Sequence, residues 1–188
     1  MLNIFKKYQK TEKKSPTEII EKDIRQTADK NGFELERAYV KFPGEELTEV
    51  NLEGGEARDS VCVDYLKMIK CMKKDKTNEY TALHTHPGGN FLPSSKDFSN
   101  FMDNKLMKTM IIIQTADKKI NGYFVIRKTG LTKHIGYNFP WENSKEKELY
   151  SDNYKGYTTI EKVVSSLEII KNRYKLHYRF FQIKRINK

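Results

Sequence analysis

Four consecutive residues, Pro87-Gly88-Gly89-Asn90, place the tightest local constraint on this chain. Proline lacks an N–H donor and fixes φ, and glycine and asparagine favour turn conformations, so neither a strand nor a helix continues through them. Before them, Tyr80 to His84 reads as a short apolar strand. After them, Ser94-Ser95-Lys96-Asp97 opens a helix that carries Phe98, Phe101, Met102 and Leu106. Strand, tight loop and helix are therefore expected as one unit. Thr109 to Thr115 and Gly122 to Lys128 predict two further strands around Ala116-Asp117-Lys118-Lys119.

Upstream, Ser15-Pro16-Thr17-Glu18 has the form of a capping box with proline at the first helical position. Ile19, Ile20, Ile24 and Ala28 then line one face of a helix that runs through Lys30 and stops at Asn31-Gly32. From Glu34 to Phe42 the chain alternates, with Glu34, Glu36, Ala38, Val40 and Phe42 on one face; this predicts a strand ended by Pro43-Gly44. Leu47 to Leu52 predicts a second strand. Val61, Tyr65, Met68, Ile69 and Met72 have helical spacing over 60–74. Pro140 to Gly156 is polar and punctuated, and reads as a linker or long loop. Ile160, Val163, Val164, Leu167 and Ile170 define a last helix. The order of elements predicts an α/β fold, a mixed β-sheet flanked by helices. Three regions are expected: a basic N-terminal segment over 1–14, a domain over 15–130, and a basic C-terminal extension of helical and strand character over 131–188.

The chain has 188 residues, enough for one domain with a full core. Tyr 11 and Phe 10 make it too aromatic for a disordered chain. A net charge of +10 favours anionic partners, either nucleic acid or an acidic protein. Two cysteines, Cys62 and Cys71, cannot build a disulfide framework and read as reduced thiols. Met1 to Lys7 lacks the apolar run of a signal peptide, and the longest apolar run, Met110 to Ile113, is far short of the roughly 20 residues of a membrane span. A soluble cytoplasmic protein with no membrane partner is expected.

The chemistry concentrates between His84 and Asp97. Histidines at i and i+2 of a strand point to the same side, so His84 and His86 can reach one ion. Asp97 lies one turn into the following helix. Two imidazoles and a carboxylate suit Zn²⁺ and leave a fourth position for water. Such a hydrolase also needs a base and an oxyanion donor. Ser94, one turn ahead of Asp97, is a candidate donor. Glu34 and Glu36 share the inward face of their strand with Ala38 and Val40, where an unpaired carboxylate is costly, and both are candidate bases.

This stretch resembles the JAMM (MPN-plus) metalloprotease family, whose motif is a Glu, then H-[ST]-H-P, seven residues from the second His to a Ser, two more, then Asp. Here His84-Thr85-His86 is followed by seven residues, Pro87 through Pro93, then Ser94, then Ser95 and Lys96, then Asp97. The resemblance spans about Ser15 to Thr129. It implies an MPN-like (cytidine-deaminase-like) architecture, zinc held by His84, His86 and Asp97, Ser94 as the oxyanion-side donor and a Glu as general base. In the family that Glu is often followed by a small residue at +2 and a branched one at +4. Glu36, with Ala38 and Val40, fits this better than Glu34, the alternative base. The Pro93-Ser94 and Asp97 portion is also similar to the bacterial RadC-like, JAB-domain branch. The resemblance implies hydrolysis of a peptide or isopeptide bond in a protein substrate, ubiquitin-like or peptide-linked. The segment from Asp97 to Gly130 is too tight for the insertions with which eukaryotic members hold ubiquitin chains.

Blander readings stand beside these. A lone HxH pair is usually structural, and S-x-x-D before an apolar run is more often a helix cap than a catalytic pair. Co-occurrence at fixed offsets lifts the metal reading. His134 and His177 have no such company and read as surface or packing residues. Met68, Met72, Met102, Met107 and Met110 read as core. Near the C-terminus, Lys171, Arg173, Lys175, His177 and Arg179 alternate with Tyr174, Leu176, Tyr178 and Phe180. That pattern suits a single-stranded nucleic-acid platform, an edge strand guarded by its charges, or a helix in which the alternation is accidental. A metal-dependent nuclease is a weaker reading, because such sites carry more clustered carboxylates.

Overall fold

A computed structural model of the chain describes residues 21–29, 34–58, 60–72, 79–88, 92–116, 119–132, 144–155 and 160–182. The basic segment 1–14, the Ser15 cap and His134 lie outside the described residues.

The elements in order are α1 (Glu21–Asp29), β1 (Ala38–Lys41), β2 (Thr48–Glu49), β3 (Asn51–Glu56), β4 (Val61–Val63), α2 (Tyr65–Met72), β5 (Tyr80–Pro87), α3 (Ser95–Asp103), β6 (Met107–Ala116), β7 (Lys119–Lys128), α4 (Lys145–Lys155), α5 (Ile160–Tyr174) and β8 (Leu176–Gln182). Six strands form one sheet in the order β2-β1-β5-β6-β7-β8, and β3 pairs with β4 in a small second sheet. Among the described residues only β5 and β6 run parallel, joined through α3; the other pairs are antiparallel. The fold is thus α/β with a mixed sheet, as the order of sequence signals implies.

The apolar run in β6 explains where the core sits. Met110, Ile111, Ile112 and Ile113 are all buried, so β6 is covered on both faces. Met110 and Ile112 join Phe98, Phe101 and Met102 of α3, Phe124 and Ile126 of β7, Tyr150 of α4 and Val163, Leu167 and Ile170 of α5. Ile111 and Ile113 face the opposite side with Tyr39, Leu83 and Ile24 of α1. A third cluster joins Ala38, Val40, Phe42 and Val50 to Met68 of α2.

Several elements differ from expectation. The first strand is shorter than the alternation over 34–42, because Glu34 and Leu35 form an exposed turn. Leu47 to Leu52 does not make one strand: it is split at buried Val50 between β2 of the main sheet and β3 of the small one. Residues 60–63 are not helical; β4 pairs back on β3, and Asp64 caps α2 by accepting from the N–H groups of Leu66 and Lys67 at 2.9 and 3.1 Å. The stretch expected as a loop over 140–156 contains α4, anchored by fully buried Tyr150, whose hydroxyl donates to the carbonyl of Pro93. Residues beyond 130 complete the same core, and β8 pairs along β7 as a sheet edge. Lys171 and Arg173 end α5, and the alternation proper begins at Leu176. No helix among the described residues is long and apolar enough to cross a membrane.

Candidate metal centre

The C-terminal half of β5 and the first turn of α3 bring three ligand-type side chains together. His84 Nε2 lies 3.0 Å from His86 Nε2 and 3.3 Å from Asp97 Oδ1. His86 Nε2 is 3.7 Å from Asp97 Oδ2, and one ligand atom from each residue lies within 4.8 Å of the others. Zinc binds imidazole nitrogen at about 2.0–2.1 Å in tetrahedral geometry, so two donors on one ion sit about 3.3 Å apart. The His84–His86 and His84–Asp97 separations match two donors on a single tetrahedral cation, and the donor types suit zinc.

Each of these three side chains is placed by local structure. The strand period puts His84 and His86 on one face, while Thr85 between them is fully buried on the other. Thr85 is tied to the chain leading into β1: its N–H donates to the Arg37 carbonyl at 3.0 Å, and its Oγ1 accepts from the Arg37 N–H at 2.9 Å. The Gly88 backbone turns the chain away with φ +63°, a conformation glycine tolerates. Ser94 is the N-cap of α3 and forms a reciprocal capping box with Asp97. Its Oγ accepts from the Asp97 N–H at 3.1 Å, and its N–H and Oγ–H each donate to Asp97 Oδ2 at 2.7 Å. The Asp97 side chain is thereby held with its other oxygen toward His84. Burial alone would raise its carboxyl, but the flanking His84 and His86 outweigh burial and hold it well below the usual carboxylate range.

Of the two upstream acids, the structure brings only Glu36 to the histidines. Ala38 pairs with His84 across the β1–β5 ladder, and continuing that antiparallel register sets Glu36 opposite His86. Glu36 Oε1 is 3.8 Å from His86 Nε2, and its backbone N–H donates to the Ala57 carbonyl at 2.7 Å. Glu36 is buried; Glu34 is exposed in the turn before the strand. The inward placement expected for Glu34 is therefore corrected: the strand alternation does not reach that residue.

Glu36, His84, His86, Ser94 and Asp97 line one cavity of about 480 Å³. Three features of its surroundings were not legible. Arg58 lies against the loop leaving β5, where a Cβ on Gly88 would meet its guanidinium at 3.4 Å. Lys96 faces the same cavity from α3. Tyr150 braces the loop just ahead of Ser94 through the Pro93 carbonyl. Arg58 and Tyr150 come from distant segments without a motif of their own, so no local signal marked them. Cys62 is exposed and Cys71 half-buried, and both are free thiols. A scan of family models found no match, and neither a curated protein nor a solved structure matched the chain.

Proposed function

We propose that this protein is a zinc-dependent metallopeptidase of JAMM type, hydrolysing a peptide or isopeptide bond on an MPN-like scaffold. The observation that carries this reading is the convergence of His84, His86 and Asp97 within 4.8 Å, with the Glu36 carboxylate 3.8 Å from His86 on the wall of the same cavity. Zinc, when bound, makes hydroxide available near neutral pH and polarises the substrate carbonyl. His84, His86 and Asp97 are assigned as its ligands. Glu36 accepts the proton of the attacking water and returns it to the leaving nitrogen. The amide C–N bond breaks, the water oxygen goes to the acyl carbon, and the products are a carboxylate and an amine. Ser94 positions Asp97. A hydroxyl has one proton, and that of Ser94 goes to Asp97 Oδ2, so the oxyanion role implied by the resemblance requires that bond to open during turnover.

The test is hydrolysis of a fluorogenic peptide panel and of an isopeptide-linked ubiquitin-like conjugate by zinc-loaded protein. Cleavage that a chelator abolishes and added zinc restores supports the reading. No cleavage of any member by fully loaded protein overturns it.

A second reading rests on the outer face of β8. Phe181 is exposed and stacks on Tyr123 with centroids 4.6 Å apart and planes 15° apart, and Arg179 and His177 follow on the same face of the strand. An aromatic stack beside the Arg179 cation is the makeup of a single-stranded nucleic-acid platform. A salt titration of oligonucleotide binding tests it, since phosphate contacts require a steep fall in affinity as salt rises. Absence of binding at low salt removes it.

A further inference from the structure

We infer that the site selects a substrate carrying a medium-sized apolar side chain, of the leucine or methionine class, beside the scissile bond. This rests on the metallopeptidase reading above. Ala82 precedes His84 by two residues on β5, so it lies on the same face about 6–7 Å along the strand. β5 sits inside the sheet between β1 and β6, where side chains are ordinarily covered. Ala82 is nevertheless only half-buried, and the space above it belongs to the cavity that holds His84, His86 and Asp97. The walls are Val61 and Val63 from β4, Met68 from α2, and Met107 and Met110 from β6.

A recess opening directly from candidate metal ligands receives whatever flanks the bond being cut. Its chemistry is apolar, and its methionines are side chains that adjust to the shape of an unbranched or γ-branched occupant. The cavity volume of about 480 Å³ suits a side chain together with the backbone around it. Its two carboxylates, Glu36 and Asp97, stand at the metal end, and the exposed cations Arg58 and Lys96 also border it. A lysine occupant would lose its hydration against valine and methionine and meet those cations, which disfavours it.

Two measurements separate this inference from the reading beneath it. Calorimetric titration of zinc-loaded protein with the N-acetyl hydroxamates of leucine, methionine, glycine and lysine is expected to show leucine and methionine binding about 10- to 200-fold tighter than the other two. Ala82→Phe, which fills the recess, is expected to erase that difference while far-UV circular dichroism stays unchanged. In zinc-free wild-type protein, the ¹³C-methyl signals of Met68, Met107 and Met110 are expected to shift with N-acetyl-leucine amide and not with the glycine amide. Hydroxamates that bind without side-chain preference, or methyl signals that do not respond, overturn the inference and leave the metal site standing. Methyl shifts without any zinc-dependent hydroxamate binding overturn the metallopeptidase reading and retain the recess.

Discussion

The Nε2 atoms of His84 and His86 face each other at 3.0 Å. Two imidazolium N–H groups cannot both point into that gap, so at least one of these nitrogens presents a lone pair to it. With the Asp97 carboxylate closing the third side at 3.3 Å from His84, the gap is bordered by at least one lone pair and a negative charge. That is an environment for a cation.

On the proposed mechanism, Glu36 is the residue whose loss separates metal binding from chemistry. Glu36→Gln keeps the side-chain volume and removes the proton acceptor, so turnover is expected to fall by about 10²- to 10⁴-fold while zinc content is unchanged. Glu34→Gln, altering an exposed turn residue, is expected to leave both unchanged. Steady-state hydrolysis with zinc analysis of each variant checks this, and equal losses from the two would reject Glu36 as the base.

Ser94 both caps α3 and bonds the Asp97 carboxylate. Ser94→Ala removes the N-cap of α3, which costs about 1 kcal/mol of stability. It also removes a 2.7 Å hydrogen bond to Asp97 Oδ2, and loss of such a ligand-orienting partner lowers metal affinity about 10- to 100-fold. Chemical unfolding and competitive zinc titration measure the two effects separately.

Tyr150 ties the C-terminal half of the chain to the segment just ahead of Ser94. Its ring meets Phe98 edge-on with centroids 4.9 Å apart, and its hydroxyl donates to the Pro93 carbonyl. Tyr150→Phe is expected to cost about 1 kcal/mol through the lost hydrogen bond. Tyr150→Ala, which empties a fully buried site, is expected to cost about 3–5 kcal/mol. Unfolding curves for both variants check the order. A Tyr150→Ala protein as stable as wild type would mean that α4 is not part of the core.

These cases show which information was local. The existence of the strand and of the capped helix around the candidate site was legible, the helix because Ser94 and Asp97 act on their immediate neighbours; the expected strand end at His84 was not, since pairing with β6 carries β5 on through Pro87. The alternation from Glu34 onward was also legible, but it could not choose between two acids. That choice depends on the ladder that sets Ala38 against His84, a long-range fact. β4 was hidden because Val61, Tyr65 and Met68 also fit helical spacing, and a three-residue strand has no period of its own. α4 was hidden because its sequence, KEKELYSDNYK, is nearly all polar, and the contacts that fix it, from Tyr150, Ser151 and Glu146, are all long-range.

Lys128 gives a pH signature away from the candidate site. Its ammonium is buried behind β7, donating to the carbonyls of Phe101 and Asn104 at the end of α3. Burial, reinforced by the charge of Lys108, pulls its pKa down to about 7 from 10.5. Between those values the unfolded chain holds a proton that the folded chain lacks, so stability rises with pH across this window, by up to about 1.4 kcal/mol per pH unit. Below pH 7 both states are charged and the contribution is flat. Lys128→Met is expected to remove this slope, and urea unfolding of both proteins at pH 7, 8 and 9 measures the difference.

The most direct test of the central claim is the zinc content of purified protein, determined by elemental analysis after exchange into metal-buffered solution. The account requires one zinc per chain in the wild type and in Glu36→Gln, and less than a tenth of that in His84→Ala, His86→Ala and Asp97→Ala variants that remain folded. A wild-type protein that binds no zinc, or a His84→Ala protein that retains its full complement, contradicts it.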